Sequence, residues 1–235
     1  MTAGRGVDVY AHANPFFVRA VRGHPGRAEV LDIGCWNGTL GREIMQECDA
    51  VVDGIERDAV QAEGARVAGY RRVDIVDLDL RIPVADGRLY DFLLFGDVLE
   101  HLVHPERVLA ELVTRLKPGG RAILSLPNIA FAANRVTHLL GRWDYKDYGI
   151  LDRTHLRFFT KRSMVALIEG AGLRVIRIDG YVGLHKYRWF VREPLRWLGR
   201  AWPGAPKKTV GGGLKSRGLS MAIHFAIGSP VGLGW

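Results

Sequence analysis

Hydrophobic residues along the chain form short continuous runs that are separated by stretches with helical spacing. The continuous runs predict strands, because each has the length of a strand and ends in a turn or polar signal. We predict seven strands, over residues 28–35, 50–56, 70–78, 90–99, 121–128, 172–181 and 219–228. We predict helices over 8–22, 38–47, 58–68, from about 100 to 116, and 161–171, with a KPGG turn at 117–120. This alternation indicates an α/β fold: a mostly parallel sheet with helices on both faces and an antiparallel last strand.

The length and composition fit one globular domain over residues 1–235. Two segments depart from the regular alternation: 129–160, which we interpret as a lid, and 184–218, an insert between the last two strands. Two cysteines are too few for a disulfide framework, and no apolar run reaches the length of a membrane span.

A glycine-containing turn, DIGCWNG (32–38), follows the first predicted strand. A dinucleotide-binding turn would need glycine at position 36, where this chain has Trp36, and no phosphate-binding G-K-[ST] follows. The turn therefore suits a nucleoside without a pyrophosphate. Glu56 ends the second strand, where a carboxylate can accept hydrogen bonds from both ribose hydroxyls. The alternative is that the turn only packs helix on strand and that Glu56 is a solvated strand end.

These features, together with several later motifs, resemble class I S-adenosylmethionine-dependent methyltransferases. The resemblance extends over about residues 8–181 and is nearest to small bacterial enzymes similar to quinone-biosynthesis and glycan or natural-product O-methyltransferases. The segments that carry it are VLDIGCWNG (30–38), Glu56, VDLD (76–79), YDFLLFGDVLEHLVHPERVL (90–109), LKPGGRAILSLPN (116–128) and LDRTHLRFFT (151–160). It implies a Rossmann-like fold and S-adenosyl-L-methionine as the cofactor.

The resemblance also implies which positions bind the cofactor: the glycine turn for the methionine end, the second strand end for ribose, the third for adenine, and the fourth beside the cofactor's amino group and the acceptor. These positions are Asp32, Gly34, Cys35, Trp36, Gly38, Glu56, Arg57, Asp77, Leu78, Gly96 and Asp97. Trp36 stands where the family most often has glycine. Tryptophan is costly there if φ is positive, and its indole would cover the methionyl end.

An oxygen acceptor of high pKa needs a general base. The candidate bases are His155, in the lid, and His101, after the fourth strand; the alternatives are a structural helix histidine for His101 and a turn contact for His155. Asp152 could orient His155 or cap the N-terminus of a helix. The candidate acceptor contacts are Asn128, at the end of the fifth strand, and Tyr148, Arg153 and Arg157. The last three could equally be solvated lid residues. No Cys/His spacing typical of a metal site is present, so no metal is predicted; the alternative is a carboxylate-bound divalent cation on the acceptor side.

The net charge of +8 is concentrated in one segment. Residues 186–217 contain nine basic side chains and one acid, whereas the remaining chain is neutral. This distribution argues against nucleic acid as a partner. Residues 186–202 have a basic amphipathic pattern that would dock on an anionic membrane, or else pack on the sheet or on a second subunit of a homodimer. The chain is then expected in the cytoplasm, with or without attachment at the inner membrane face.

The leading hypothesis is methyl transfer from S-adenosylmethionine to a small acceptor, by O-methylation of a sugar, natural product or lipid-linked precursor. One alternative is a membrane-associated lipid or quinone-type O-methyltransferase. The other is a non-catalytic binding protein with a degenerate cofactor site, which only Trp36 favours.

Overall fold

The structure, a computed structural model, describes residues 14–83 and 87–180 and the backbone of strand 222–228. Its strands are β1 (Ala28–Ile33), β2 (Ala50–Glu56), β3 (Arg72–Ile75), β4 (Tyr90–Gly96), β5 (Leu116–Pro127), β6 (Arg174–Gly180) and β7 (Ala222–Gly228). Its α-helices are α1 (Pro15–Val21), α2 (Thr39–Glu47), α3 (Ala59–Val67), α4 (Pro105–Val113), α5 (Ala132–Leu139) and α6 (Lys161–Gly170). A single 3₁₀ turn, Leu99–His101, connects β4 to α4.

Within the described residues these strands form one sheet in the order β3-β2-β1-β4-β5-β7-β6. Neighbouring pairs from β3 to β5 are parallel, and β7 lies antiparallel between β5 and β6. The α/β architecture is confirmed. The strand order reverses direction at β1, which lies between β2 and β4, and ligands of such sheets bind at the carboxyl ends of the strands near this point.

Two apolar cores cover the two faces of the sheet. Along β4, Phe92 and Leu94 belong to the core that includes α1, α2 and α3, whereas Leu93 and Phe95 belong to the core that includes α4 and α6. All four side chains are buried. This alternation explains why β4 reads as a continuous apolar run: a strand covered on both faces needs apolar residues at every position.

Several predicted boundaries change in the structure. The KPGG segment is part of β5 rather than a separate turn, with a register shift against β4 and Gly119 at φ +80°. The helix expected directly after β4 is divided into the 3₁₀ turn and α4, because Pro105 begins α4 at a position that proline favours. The lid contains α5, which was not predicted.

The insert 184–218 and the first part of the helix predicted over 8–22 lie outside the described residues. The division of the chain into one domain, a lid and an insert stays a prediction. In the described part of the chain, no helix combines the length and the hydropathy needed to cross a bilayer.

Candidate active site

The glycine turn lies at the carboxyl end of β1, directly beside β4. The Gly34 and Cys35 N–H groups both donate to the Ile55 carbonyl of β2, at 2.8 and 3.1 Å. Gly34 has φ +69°, and a Cβ there would lie 2.5 Å from Val98 Cγ2. The turn is therefore held close to β2 and requires glycine at its first position.

The Glu56 carboxylate is fixed by backbone donors. Oε2 accepts the Trp36 N–H at 2.9 Å, and Oε1 accepts the N–H groups of Arg57 and Asp58 at 2.9 and 3.0 Å. Oε1 thus uses both of its lone pairs, and Oε2 has one lone pair left for a further donor. The side chain is buried at the end of β2. Glu56 is thus a pre-oriented acceptor beside the glycine turn, as the ribose role requires.

Two residues other than glycine, Trp36 (φ 48°) and Asp97 (φ 54°), adopt positive φ in the described residues. They follow the neighbouring strands β1 and β4, so both strained positions lie at one edge of the sheet. The Trp36 side chain is 39% exposed, and the Asp97 carboxylate accepts the Ser125 hydroxyl at 2.6 Å. Burial raises the pKa of Asp97. Such strain is typical of functional sites, and tryptophan at position 36 does take the costly backbone conformation.

The remaining predicted cofactor residues follow the same strand ends. Asp77 and Leu78 come after β3; Leu78 is buried, whereas Asp77 is exposed and accepts the Asp79 N–H at 2.9 Å. Gly96 ends β4, and the Arg57 side chain is exposed. Cys35 is buried, and desolvation raises the pKa of its thiol far above the usual value. The eleven positions therefore lie in the turn or at the carboxyl ends of β1 to β4.

The two candidate bases meet in one cluster. The rings of His101 and His155 are in edge contact, with centroids 4.8 Å apart. His101 Nδ1 lies 3.2 Å from the Thr154 carbonyl, and His155 Nδ1 lies 3.1 Å from the Ile150 carbonyl. A carbonyl only accepts, so each Nδ1 carries the proton and each Nε2 of the neutral ring offers a lone pair.

Glu100 completes this cluster, which we call the Glu100–His101–His155 cluster. Its side chain is fully buried, and neither carboxylate oxygen has a hydrogen-bond partner among the described residues. Burial, followed by the nearby Asp97 carboxylate, holds the pKa of Glu100 well above its ordinary value. Burial lowers the pKa of His155, which favours the neutral ring.

One ligand atom from each cluster member lies within 4.8 Å of the others, a separation at which the three could hold a metal ion. One carboxylate and two imidazoles, each with Nδ1–H on a backbone carbonyl, form a donor set that divalent cations use. The same groups could instead accept and pass on a proton. The sequence predicted no metal, because His155 is far along the chain from Glu100 and His101 and the three match no short ligand spacing. The available signal was the acid Glu100, which directly precedes the candidate base His101.

The predicted acceptor contacts have different surroundings. Asn128 Oδ1 accepts the Ala130 N–H at 3.0 Å, and Tyr148 is exposed. Arg153 pairs with the exposed Asp147 at 2.9 Å. The Arg157 guanidinium donates to the Val103 carbonyl, so it links the lid to the segment after β4.

The lid is also joined to this segment through its backbone. The Leu156 and Arg157 N–H groups both donate to the Glu100 carbonyl, at 2.8 and 3.0 Å. Asp152 begins a turn, accepting from the Thr154 N–H and hydroxyl, and does not orient His155 through its carboxylate. These contacts bring His155 to His101.

Comparisons with known proteins agree with the fold. Residues 11–178 match the family of the methyltransferase domain. A ubiquinone biosynthesis O-methyltransferase from Coxiella burnetii is 24% identical over 154 residues, which cover 64% of this chain and 65% of the relative. The match thus spans slightly less than two thirds of that relative.

Solved structures show the same architecture at low identity. An S-adenosylmethionine-dependent methyltransferase from Mesorhizobium loti is 16% identical with a TM-score of 0.57, covering 90% of this chain and 95% of that one. The [4+2]-cyclase SpnF is 16% identical with a TM-score of 0.60, covering 93% and 80%. A cyclase on this fold shows that the fold alone does not set the reaction. With its family match, glycine turn and pre-oriented Glu56, the chain belongs to the class I S-adenosylmethionine-dependent methyltransferases.

Proposed function

We propose that this protein transfers a methyl group from S-adenosylmethionine to a hydroxyl oxygen of a small acceptor. The observation that carries the proposal is the Glu100–His101–His155 cluster, which adjoins Asp97 at the end of β4, next to the cofactor turn. An oxygen acceptor of high pKa has to lose a proton during transfer, and burial favours a neutral His155 ring, whose Nε2 then offers a lone pair.

The reaction is mainly a matter of positioning. The acceptor oxygen forms a bond to the methyl carbon while the electron pair of the C–S bond passes to sulfur, which gives S-adenosylhomocysteine. His155 Nε2 takes the hydroxyl proton, and the Ile150 carbonyl holds the ring in the required tautomer. A divalent cation on the same cluster would lower the pKa of a bound hydroxyl and so replace the base.

Aromatic side chains of the lid lie next to the proposed base. Phe158 is in edge contact with His155 and Trp143, with ring centroids 6.3 and 5.2 Å away, and Tyr145 lies 6.4 Å from Phe158. Such a wall suits an acceptor with a flat or cyclic body, such as a phenol, a quinol or a sugar face. The ubiquinone-pathway relative supports a hydroxyl acceptor, and a sugar, natural product or lipid-linked precursor remains within the proposal.

The test is a transfer assay with methyl-labelled S-adenosylmethionine and a panel of catechols, phenols and sugars, run with EDTA and with added Mg²⁺, Mn²⁺ or Zn²⁺. We expect turnover of a hydroxyl acceptor that falls about 100-fold or more in His155→Asn. His104→Asn is the matched control, because His104 is exposed and pairs with Glu106 outside the cluster. Activity that needs a cation assigns the metal role, and activity in EDTA assigns the base role. Transfer only to amines or thiols, or equal activity in His155→Asn, would overturn the proposal.

The insert 184–218 adds a proposal about location. Its basic amphipathic pattern would attach the enzyme to an anionic membrane, with a lipid-linked acceptor nearby, or would join two subunits. Co-sedimentation with anionic vesicles at low salt, compared with zwitterionic vesicles, separates the membrane role from the dimer role.

A further inference from the structure

Tyr70 fills a slot beneath the cofactor turn. It lies between α3 and β3 and is 5% exposed. A Cβ at Gly41 of α2 would lie 2.4 Å from its Cζ and Oη, and one at Gly54 of β2 would lie 3.0 Å from its Cδ1. Gly38, at the end of the turn, is similarly close, with 3.0 Å to Cε2. Three glycines from three segments thus make room for one phenol ring.

The Tyr70 hydroxyl connects two parts of the cofactor site. It donates to Asp32 Oδ2 at 2.5 Å and accepts the Gly41 N–H at 3.0 Å. Asp32 is buried at the end of β1, immediately before the turn, and Gly41 lies in the first turn of α2. The tyrosine therefore fixes both the carboxylate and the helix start that border the turn.

The surroundings of Asp32 oppose its charge. Burial raises the pKa of Asp32 to about 7, and the bond from Tyr70 lowers it, while the Glu56 carboxylate raises it further. The other groups that face it are the Cys35 thiol of the turn and uncharged Leu94, its neighbour on β4. No described cation is bonded to the Asp32 carboxylate. The Tyr70 hydroxyl is consequently the group that favours the anion.

We propose that Tyr70 is a positioning residue that holds the Asp32 carboxylate in its charged form for the ammonium group of the cofactor. The proposal rests on the proposed function, since it requires cofactor at the turn. Because protonated Asp32 loses its attraction for a cation, cofactor affinity falls as the pH drops through the pKa of Asp32. Removing the Tyr70 hydroxyl moves this fall to higher pH.

The test compares Tyr70→Phe with Tyr90→Phe. Tyr90 is also 5% exposed and also donates to a buried aspartate, with 3.0 Å to Asp53 Oδ2, but it begins β4 at the opposite edge of the sheet. The two variants lose the same atom from the same kind of bond. Calorimetric titration from pH 5.5 to 9 measures the affinity of each protein for two probes. S-adenosylhomocysteine has the ammonium group, and methylthioadenosine lacks it.

We expect Tyr70→Phe to bind S-adenosylhomocysteine about tenfold more weakly at pH 7, with the fall in affinity moved upward by about one pH unit, and to bind methylthioadenosine normally. Tyr90→Phe should match the wild type with both probes. Asp32→Asn should bind S-adenosylhomocysteine weakly, without this pH-dependent fall.

An unchanged pH midpoint in Tyr70→Phe, or an equal loss for both probes, would overturn the positioning role while leaving the proposed function intact. A folded wild-type protein that binds neither probe would instead contradict the proposed function. The two failures can be distinguished, because the positioning role of Tyr70 can fail only in an experiment in which the wild-type protein binds the probes.

Discussion

Glu100→Gln offers a quantitative test of the buried cluster, because it removes the charge and keeps the shape. The folded protein holds this carboxyl protonated well above its ordinary pKa of 4.5, since the side chain is fully buried without a hydrogen-bond partner. The unfolded chain releases the proton at the ordinary value. Over the interval between the two pKa values, the folded state therefore binds one proton more than the unfolded state, and stability falls as the pH rises.

The magnitude follows from this linkage. Each pH unit inside the interval costs the wild type about 1.4 kcal/mol of unfolding free energy, and Gln at position 100 avoids that cost. Above pH 5 the variant should gain stability relative to the wild type, by about 1.4 kcal/mol for each pH unit that lies below the raised pKa of Glu100. A buried acid that is not coupled to Glu100, such as Asp32, titrates in both proteins and cancels in the difference.

Urea denaturation in EDTA at pH 5, 6, 7 and 8 measures this difference. Glu63→Gln, at an exposed position of α3, is the control and should stay within about 0.5 kcal/mol of the wild type. A difference that does not change with pH would refute the reasoning, because Glu100 would then be ionised and paired in the folded protein. Repeating the wild-type series with Zn²⁺ at about 100 times its Kd should add about 2.7 kcal/mol if the cluster binds the ion, and nothing in Glu100→Gln.

Three further substitutions or reactions test the packing around the site. Gly41→Ala should destabilise the protein by about 2 kcal/mol in thermal unfolding, because its Cβ would overlap the Tyr70 ring; full stability would contradict the slot. Asp53→Asn should cost about 3 kcal/mol in urea, because the buried carboxylate is bonded to two arginines and a tyrosine. Ellman's reagent should label Cys48 in the native protein and Cys35 only after unfolding, because Cys35 is buried; two rapid thiols would show an open turn.

Local patterns predicted where the glycine turn and Glu56 lie, whereas their roles in cofactor binding stay predictions. The turn and Glu56 are adjacent to apolar runs that form β1 and β2, and strand ends of a parallel sheet meet at one edge. No such rule connects His101 to His155, since their contact depends on how the lid docks against the 3₁₀ turn.

The missed features have identifiable physical causes. Burial of Glu100 comes from tertiary packing, whereas its sequence context reads as an ordinary helix start. Helix α5 has no buried residue, so its apolar positions are not explained by a core. The sequence did contain a signal for the slot that Tyr70 fills. Gly41 and Gly54 lie inside predicted elements, which indicates that another group approaches the backbone there, although it does not identify that group.

The most direct measurement of the central claim is calorimetric titration with S-adenosylhomocysteine of the wild type, Glu56→Gln and the Glu63→Gln control. The account predicts micromolar binding by the wild type and the control. It predicts at least about tenfold weaker binding by Glu56→Gln, which would turn an amide N–H toward a backbone donor. A folded wild-type protein that does not bind S-adenosylhomocysteine, or a Glu56→Gln variant that binds it equally well, would contradict the account.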